Sequence, residues 1–313
     1  MSAFAIVNPR SASGRTGHDW AAIERGLREI YPALKVGFTT RQGDAPGLVR
    51  RALSDGHSEI IAVGGDGTIN EAVNGFFAAD GTALAPDAVF AFVTSGTGGD
   101  FRKTFGLEAG PQAALARLKT APIKSTDVGK ICCLSKDGLP VTRYFINVAS
   151  FGLSGVIVEA VNSARIAKWF GGTFAFGFHS ALAMLRYRDR TLRLRIDGKY
   201  DEIDRISTVA IANGQYFGGG MRIAPGAVPD DGVFEVVIMG GAPKLEAVRN
   251  MKLIYTGDHV KLAAVRVVNG RKVVAAPVAE THGVPILIEA DGETAGKLPA
   301  TFEILPAALN LRC

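Results

Sequence analysis

Glu59-Ile60-Ile61-Ala62-Val63-Gly64-Gly65-Asp66-Gly67-Thr68-Ile69-Asn70-Glu71 carries, in one run, a strand, a turn and the start of a helix. Glu59 to Val63 is short, apolar and β-branched, which reads as a buried strand. The glycines end it, and Ile69, Ala72, Val73, Phe76 and Phe77 then recur at the spacing of a half-buried helix. Glycines at such a junction let main-chain N–H groups approach phosphate oxygens, and the helix N-terminus adds a favourable dipole. An aspartate there would repel phosphate unless Mg²⁺ lay between them, so Asp66 reads as a direct or indirect Mg²⁺ partner. An ordinary strand-to-helix turn capped by Thr68 would account for two glycines and an aspartate. It accounts less well for the full octapeptide Gly64 to Glu71 at a strand end.

The same alternation continues on both sides. Ala3 to Val7 reads as a first strand, ended by Asn8-Pro9, and Trp20, Ile23, Leu27 and Ile30 follow at helical spacing. Lys35 to Thr40 and Ala88 to Val93 read as two more strands; Ala45, Leu48, Val49, Ala52 and Leu53 form another helical stripe. Strands separated by helices of this length imply a doubly wound parallel sheet, an α/β domain with ligands at the carboxyl edge of its strands. Asn8-Pro9-Arg10-Ser11-Ala12-Ser13-Gly14-Arg15 and Ser95-Gly96-Thr97-Gly98-Gly99-Asp100-Phe101 fall at that same edge. Together the three loops look like a nucleotide phosphate cradle. No loop ending in Gly-Lys-Ser/Thr is present, so the chain is not a P-loop enzyme.

Beyond about Thr120 the texture changes. Val141 to Ala149, Leu192 to Ile196, Ser207 to Ala212, Gly232 to Met239, Val260 to Val268, Arg271 to Ala275 and Pro285 to Ala290 are short, β-rich and separated by turn residues. That is the pattern of a β-rich sandwich or barrel. Leu153 to Asn162, Lys168 to Arg188 and Lys244 to Tyr255 read as helical interruptions. The expectation is a nucleotide-binding α/β domain over residues 1–125 and a β-rich sandwich domain over 126–298, with a cleft between them. The last segment, 299–313, contains a strand at Thr301 to Leu305 that could return to the first domain.

Composition narrows the classes further. A chain of 313 residues with 47% apolar content fills a packed interior and is not disordered. The formal charge of +5 is spread among interleaved acids and bases, with no basic block of the kind that binds nucleic acid. A mild positive excess suits visits to an anionic membrane surface, and suits solubility equally. Cys132, Cys133 and Cys313 build neither a disulfide framework nor a CxxC metal pair, which fits a reducing cytoplasm. The first residues lack the pattern of a signal peptide, and no apolar stretch is long enough to span a bilayer. Any membrane contact is therefore expected to be peripheral and transient, on the cytoplasmic face.

Asn-Pro-x-Ser-x-x-Gly near the start, Gly-Gly-Asp-Gly-Thr-x-Asn-Glu and Gly-Thr-x-x-Asp-Phe together resemble the catalytic domain of diacylglycerol kinases, shared by bacterial lipid kinases and by sphingosine and ceramide kinases. The resemblance continues through Asn213-Gly214-Gln215-Tyr216-Phe217-Gly218-Gly219-Gly220-Met221, Ala224-Pro225, Asp230-Asp231-Gly232 and Asp291-Gly292-Glu293. It implies an ATP- and Mg²⁺-dependent lipid kinase with ATP contacts at Asn8, Pro9, Arg10, Ser11 and Ser13, at Thr39, at Gly65, Asp66, Gly67, Thr68, Asn70 and Glu71, and at Thr97, with Asp100 beside it. It implies a structural Mg²⁺ held by the Asp231 carboxylate and by main-chain carbonyls near Val228 and Val233. It also implies a catalytic carboxylate in Asp291-Gly292-Glu293. Gly99 stands where the family usually has asparagine, a departure that would loosen the third loop or its contact with nucleotide while leaving Thr97 and Asp100 in place.

A role for the last motif follows from chemistry as well. A lipid hydroxyl is a poor nucleophile and benefits from a positioned base during phosphoryl transfer. Glu293 is favoured as proton acceptor with Asp291 as the near alternative; an extended chain would point both the same way and a turn would not. A solvated Asp-Gly turn is the bland account. Trp169 to Phe178 holds five of the chain's 25 aromatics and reads either as core or as the lining of an acyl-chain pocket. His18, His57, His179, His259 and His282 show no ligand spacing. The rival functions are an NAD or other small-molecule kinase, which shares the Gly-Gly-Asp-Gly turn, and a non-catalytic lipid- or nucleotide-binding regulator. The identity of the lipid and the oligomeric state, a homodimer included, are left open by the sequence.

Overall fold

Alternate side chains of a strand face opposite sides, and β3 (Glu59–Gly64) shows the consequence when both sides are covered. Ile60 and Ala62 join one apolar cluster and Ile61 and Val63 a second, so the whole strand is buried and reads as a continuous apolar run. The computed structural model describes residues 2–95, 99–163, 187–278 and 284–313. The chain forms two compact units, the first comprising Met1–Val128, Tyr144–Ile146 and Leu305–Cys313, the second Gly129–Arg143 and Asn147–Ile304.

In the first unit β1 (Ala3–Val7) lies between β3 and β2 (Lys35–Phe38), and β4 (Val89–Thr94) lies on the far side of β3. All of these pairs are parallel, and Asn310 and Leu311 of the last strand add to β4 beside Val89 and Phe90, also parallel. The carboxyl ends of β1 to β4 therefore share one edge. On one face α1 (Arg15–Ile30) and α5 (Pro111–Thr120) bury Ile23, Leu27, Ala114 and Leu118 against Val7, Val63 and Val93. On the other, α2 (Ala45–Ser54) and α3 (Asp66–Asn74) bury Val49, Ala52, Ile69 and Val73 against Ile60, Phe90 and Phe92. Each buried Val, Leu, Ile or Phe among them is worth roughly 1.5–3 kcal/mol, which is why the helical stripes predict their positions so well. A short helix, α4 (Asp100–Thr104), follows the third glycine loop.

The second unit is antiparallel. Its ladder runs through β12 (Val265–Gly270), β11 (Phe234–Met239), β10 (Thr208–Ala212), β7 (Val148–Gly152), β14 (Leu287–Ala290), β15 (Glu293–Arg312), β13 (Lys272–Pro277), β8 (Arg190–Ile196) and β9 (Tyr200–Ile206). Two more strands, β5 (Ile123–Leu134) and β6 (Pro140–Phe145), pair with each other, and β5 pairs with β15 as well. The α/β unit and the β-rich unit are the classes the two textures of the sequence imply. Several elements differ in detail. The expected strand Val141–Ala149 is broken after Phe145 and resumes at Val148, where the chain passes from one unit to the other. Val260–Val268 begins as a 3₁₀ turn and becomes a strand only at Val265. Lys244–Tyr255 is two short helices, Lys244–Asn250 and Leu253–Thr256. The expected helix Lys168–Arg188 falls almost wholly outside the described residues. No helix among the described residues is long and apolar enough to cross a membrane.

Candidate active-site residues

The first unit's three expected phosphate loops follow β1, β3 and β4 and are joined by side-chain hydrogen bonds. Asn8 Nδ2 donates to Thr68 Oγ1 at 3.1 Å, tying the first loop to the second. Asp66 accepts from the main-chain N–H of Asp100 at 3.0 Å and of Phe101 at 3.5 Å, tying the second to the third. Burial raises the Asp66 carboxyl above its ordinary range, and the neighbouring Asp100 carboxylate raises it further. Asp100 is itself buried and accepts from Lys103 Nζ at 2.8 Å. A neighbouring carboxylate and burial both favour the protonated form of Asp66, and a cation beside it would favour the charged form.

The first loop is strained. Ala12 and Ser13 adopt φ of 53° and 58° and Gly14 continues at 88°, a left-handed run that non-glycine residues avoid and that clusters at functional sites. The Ser11 hydroxyl donates to Asn8 O at 2.9 Å, the Pro9 carbonyl accepts from Gly17 N at 3.1 Å, and Ser13 lies exposed. Arg10 is exposed too, and its guanidinium meets no partner among the described residues. In the second loop a Cβ on Gly64 would sit 2.5 Å from Thr68 Oγ1, whereas one on Gly65 would meet nothing within 4 Å. Gly64 is thus required by packing, whereas no contact of this kind among the described residues explains Gly65.

Two residues of the octapeptide, Asn70 and Glu71, meet other groups of the first unit. Asn70 is buried and donates to the carbonyl of Tyr144 at 2.9 Å, which Asn74 also meets while accepting from Tyr144 N. Glu71 accepts from Gly43 N at 2.9 Å and Ala45 N at 3.4 Å, closing the start of α2. Asp44, the residue before α2, cannot do so, because its carboxylate is engaged by Thr40 and Arg41 and held well below the usual carboxylate range. Thr39 is buried and donates its N–H to Val7 O at 2.9 Å. Asn70, Glu71 and Thr39 are thus each held by main-chain groups of the first unit.

In the second unit, Asp291 and Gly292 are the two central residues of the hairpin between β14 and β15, with φ of 49° and 87°. This is the left-handed pair that a type I′ turn needs, and Asp-Gly is a sequence that supplies it. The motif is a turn, so the side chains of Asp291 and Glu293 do not follow an extended chain to a common side. Asp291 Oδ1 accepts from Asn147 N at 3.1 Å and Val148 N at 3.0 Å, and Asp291 N donates to Val148 O. Glu293 is half-buried and opens β15.

The neighbouring carboxyl is one that sequence reasoning misses. Glu289 is buried beside the Ser150 hydroxyl, and its other oxygen accepts from Gly292 N at 3.1 Å. Burial pushes it up to about 7, and the Asp291 and Glu293 carboxyls add to the rise. Its only signal is a charge inside Ile286-Leu287-Ile288-Glu289-Ala290, an otherwise apolar strand. Asn147 is missed likewise; its carbonyl accepts from Asn213 N and Gly214 N and its Nδ2 donates to Tyr216 O, which anchors the Asn213 to Met221 loop.

Asp231 is exposed in the turn before β11, and its Oδ1 accepts from Val233 N at 3.0 Å. Val228 and Val233 flank it in the same turn. A carboxylate with main-chain carbonyls in the same turn is a hard-oxygen donor set of the kind Mg²⁺ takes. No cluster of three or more His, Cys, Asp or Glu side chains suited to a metal occurs among the described residues. Thr97 and the aromatic segment Trp169 to Phe178 lie outside the described residues.

Residues 2–131 match the family model of the diacylglycerol kinase catalytic domain, and residues 147–313 match that of the YegS C-terminal NAD kinase beta sandwich-like domain. A Pseudomonas putida protein named "Probable lipid kinase YegS-like" is 30% identical over 285 residues, 91% of this chain and 87% of that one. "Diacylglycerol kinase" of Mycobacterium tuberculosis H37Rv is 26% identical over 269 residues, 86% and 81% of the two chains. A solved structure of a diacylglycerol kinase from Bacillus anthracis superposes with a TM-score of 0.70 over 99% of this chain and 96% of that one; at 20% identity the likeness is one of fold. With both halves matched in order and near relatives spanning most of their own length, this chain belongs to the diacylglycerol kinase catalytic domain family and is a lipid kinase of the diacylglycerol kinase and YegS-like type.

Proposed function

We propose that this kinase transfers the γ-phosphate of ATP to a hydroxyl of a membrane lipid, with diacylglycerol as the first acceptor to test and a sphingoid base or ceramide as the next. The observation that carries the reading is the stitched strand edge of the first unit, where Asn8–Thr68 and Asp66–Asp100 hydrogen bonds hold three loops that end β1, β3 and β4. Main-chain N–H groups around Gly65 and Gly67, the Arg10 guanidinium and the Ser11 and Ser13 hydroxyls would bind the triphosphate there, with Thr68 keeping Asn8 in place. Thr97 and Asp100 would complete the third side.

Mg²⁺ would neutralise phosphate charge and order the second unit's turn; Asp66 is the residue to hold it at the phosphates, and Asp231 with the carbonyls of Val228 and Val233 at the turn. Glu293 would accept the proton of the lipid hydroxyl, with Asp291 positioned by the N–H groups of Asn147 and Val148 as the alternative acceptor. A membrane-resident acceptor implies peripheral, transient contact with the cytoplasmic leaflet, since no described helix spans a bilayer.

The test is direct. Full-length protein, Mg²⁺ and γ-labelled ATP are mixed with phosphatidylglycerol vesicles carrying diacylglycerol, sphingosine or ceramide, and in parallel with NAD. Label in a lipid acceptor is the expected result. Because the second half resembles an NAD kinase β-sandwich, NAD is the pertinent competitor. Labelled NAD with unlabelled lipids would replace this reading.

A further inference from the structure

We infer that Glu289 is a positioning residue of the Asp291-Gly292-Glu293 hairpin, its carboxyl bridging the Ser150 hydroxyl of the adjacent strand to the Gly292 N–H of the turn. The inference rests on the proposal that this hairpin supplies the proton acceptor.

The geometry is specific. Glu289 stands directly opposite Ser150 in the antiparallel pairing of β14 with β7. It is 2% exposed and Ser150 is fully buried, so water does not compete for either group. Oε1 meets the Ser150 hydroxyl, which also lies 2.6 Å from the buried Ser154 hydroxyl in the first turn of the helix Leu153–Ser163. Oε2 accepts from Gly292 N at 3.1 Å. One serine proton cannot serve two acceptors, so the three groups order themselves in a single direction, from Glu289 through Ser150 to Ser154 or the reverse.

A buried carboxyl in a strand core is costly, and replacing such a group by a well-packed apolar side chain is often neutral or stabilising. Packing therefore does not explain Glu289. What it does supply is a tie between strand and turn. A type I′ turn directs the chain into β15 at Glu293, and a turn free to rock would move the Glu293 carboxyl and the Asp291 contacts to Asn147 and Val148 together. Misplacement by about 1 Å is enough to cost on the order of a hundredfold in rate.

The experiment separates positioning from packing. Glu289→Met fills the space without hydrogen-bonding, whereas Glu289→Gln can still accept from Gly292 N–H through its oxygen and donate to Ser150 through its amide. The expected result is that Glu289→Met melts no lower than the parent and keeps its KM for ATP, yet loses roughly tenfold to a hundredfold in kcat with diacylglycerol vesicles. Glu289→Gln should recover most of that loss. If the Met variant fails to fold, Ser150→Ala tests the other end of the bridge, with an expected fall in kcat at unchanged KM for ATP. Parental kcat in a folded Met variant, or in Ser150→Ala, overturns the inference, as does a Gln variant as slow as Met. Glu293→Gln and Asp291→Asn, measured alongside, keep the two ideas apart. If both work at the parental rate, the hairpin is not the proton acceptor and this inference goes with it. If either is inactive while Glu289→Met is normal, only the positioning role is lost.

Discussion

Gly64 and Gly65 are adjacent glycines with different reasons to be glycine. A Cβ at Gly64 would lie 2.7 Å from Thr68 Cβ, so Gly64→Ala should disturb the turn, break the Asn8–Thr68 hydrogen bond and lower the melting temperature. A Cβ at Gly65 meets no atom of the described residues within 4 Å, its chain neighbours aside. If that empty space is where phosphate approaches, Gly65→Ala should leave the melting temperature within a degree or so and raise KM for ATP about tenfold or more. An unchanged KM would remove Gly65 from the phosphate cradle. Asp66 is the third telling residue of this turn. Its raised carboxyl means that the neutral form is favoured in the folded state, so the stability it contributes is present at low pH and is lost as pH rises past its ordinary range. Asp66→Asn should therefore gain stability relative to the parent as pH climbs from 4 to 8, while kcat falls by about a hundredfold or more through loss of charge at the phosphates. Thermal melts across that pH range beside initial rates decide it; a variant that keeps parental activity would exclude Asp66 from the chemistry.

Glu71 shows how a motif residue acts through an element. The start of α2 has no cap from its own sequence, because Asp44 is turned back onto Thr40 and Arg41. Glu71 reaches across from α3 to take the Gly43 and Ala45 N–H groups. Glu71→Ala should cost about 1 kcal/mol, as loss of a helix cap does, and should loosen the loop that carries Thr39. The expected signature is a small drop in melting temperature with a higher KM for ATP and little change in kcat; a collapse of kcat at constant KM would instead put Glu71 at the reacting atoms. Elements buried on both faces are readable almost to the residue, β1 and β3 above all, because parallel strands under two helix layers need continuous apolar runs. Tyr200–Ile206 gives no such signal: among the described residues it pairs on only one side, with β8, and its Asp201, Glu202 and Arg205 are exposed. For the last strand the sequence suggests only Thr301–Leu305, yet it runs from Glu293 to Arg312, since Pro299 and Pro306 look like breaks in the sequence. Among site residues, glycine loops are legible because their chemistry is local. Glu289 and Asn147 are not, because Ser150 and Asp291, the groups they meet, lie more than a hundred residues away and only strand pairing brings them together.

At the scale of the molecule, the first unit is not a contiguous stretch of chain: it needs Tyr144–Ile146 and Leu305–Cys313 in addition to its first 128 residues. Tyr144 stacks on Phe77 with ring centroids 4.8 Å apart and is held by Asn70 and Asn74. Ile146, Leu309 and Leu311 are buried in the same apolar cluster as α2 and α3. Arg312 adds a bidentate pair to the buried Glu59, which also accepts from the Tyr31 hydroxyl at 2.7 Å. Removing the four apolar side chains forfeits roughly 6–12 kcal/mol of burial, and removing Arg312 leaves Glu59 a buried carboxylate without its cation, a loss of about 3–5 kcal/mol. The sum is comparable to the roughly 5–15 kcal/mol that separates a typical folded domain from its unfolded chain. A fragment of residues 1–128 should therefore lack a cooperative thermal transition and bind no ATP, despite containing all three loops that follow β1, β3 and β4. Within the full chain, Arg312→Met isolates the ionic contribution and should melt several degrees lower with an unchanged KM for ATP. A fragment that unfolds cooperatively would show that the glycine-loop sheet is self-sufficient, and the returning strand would then serve only to join the chain's end to it.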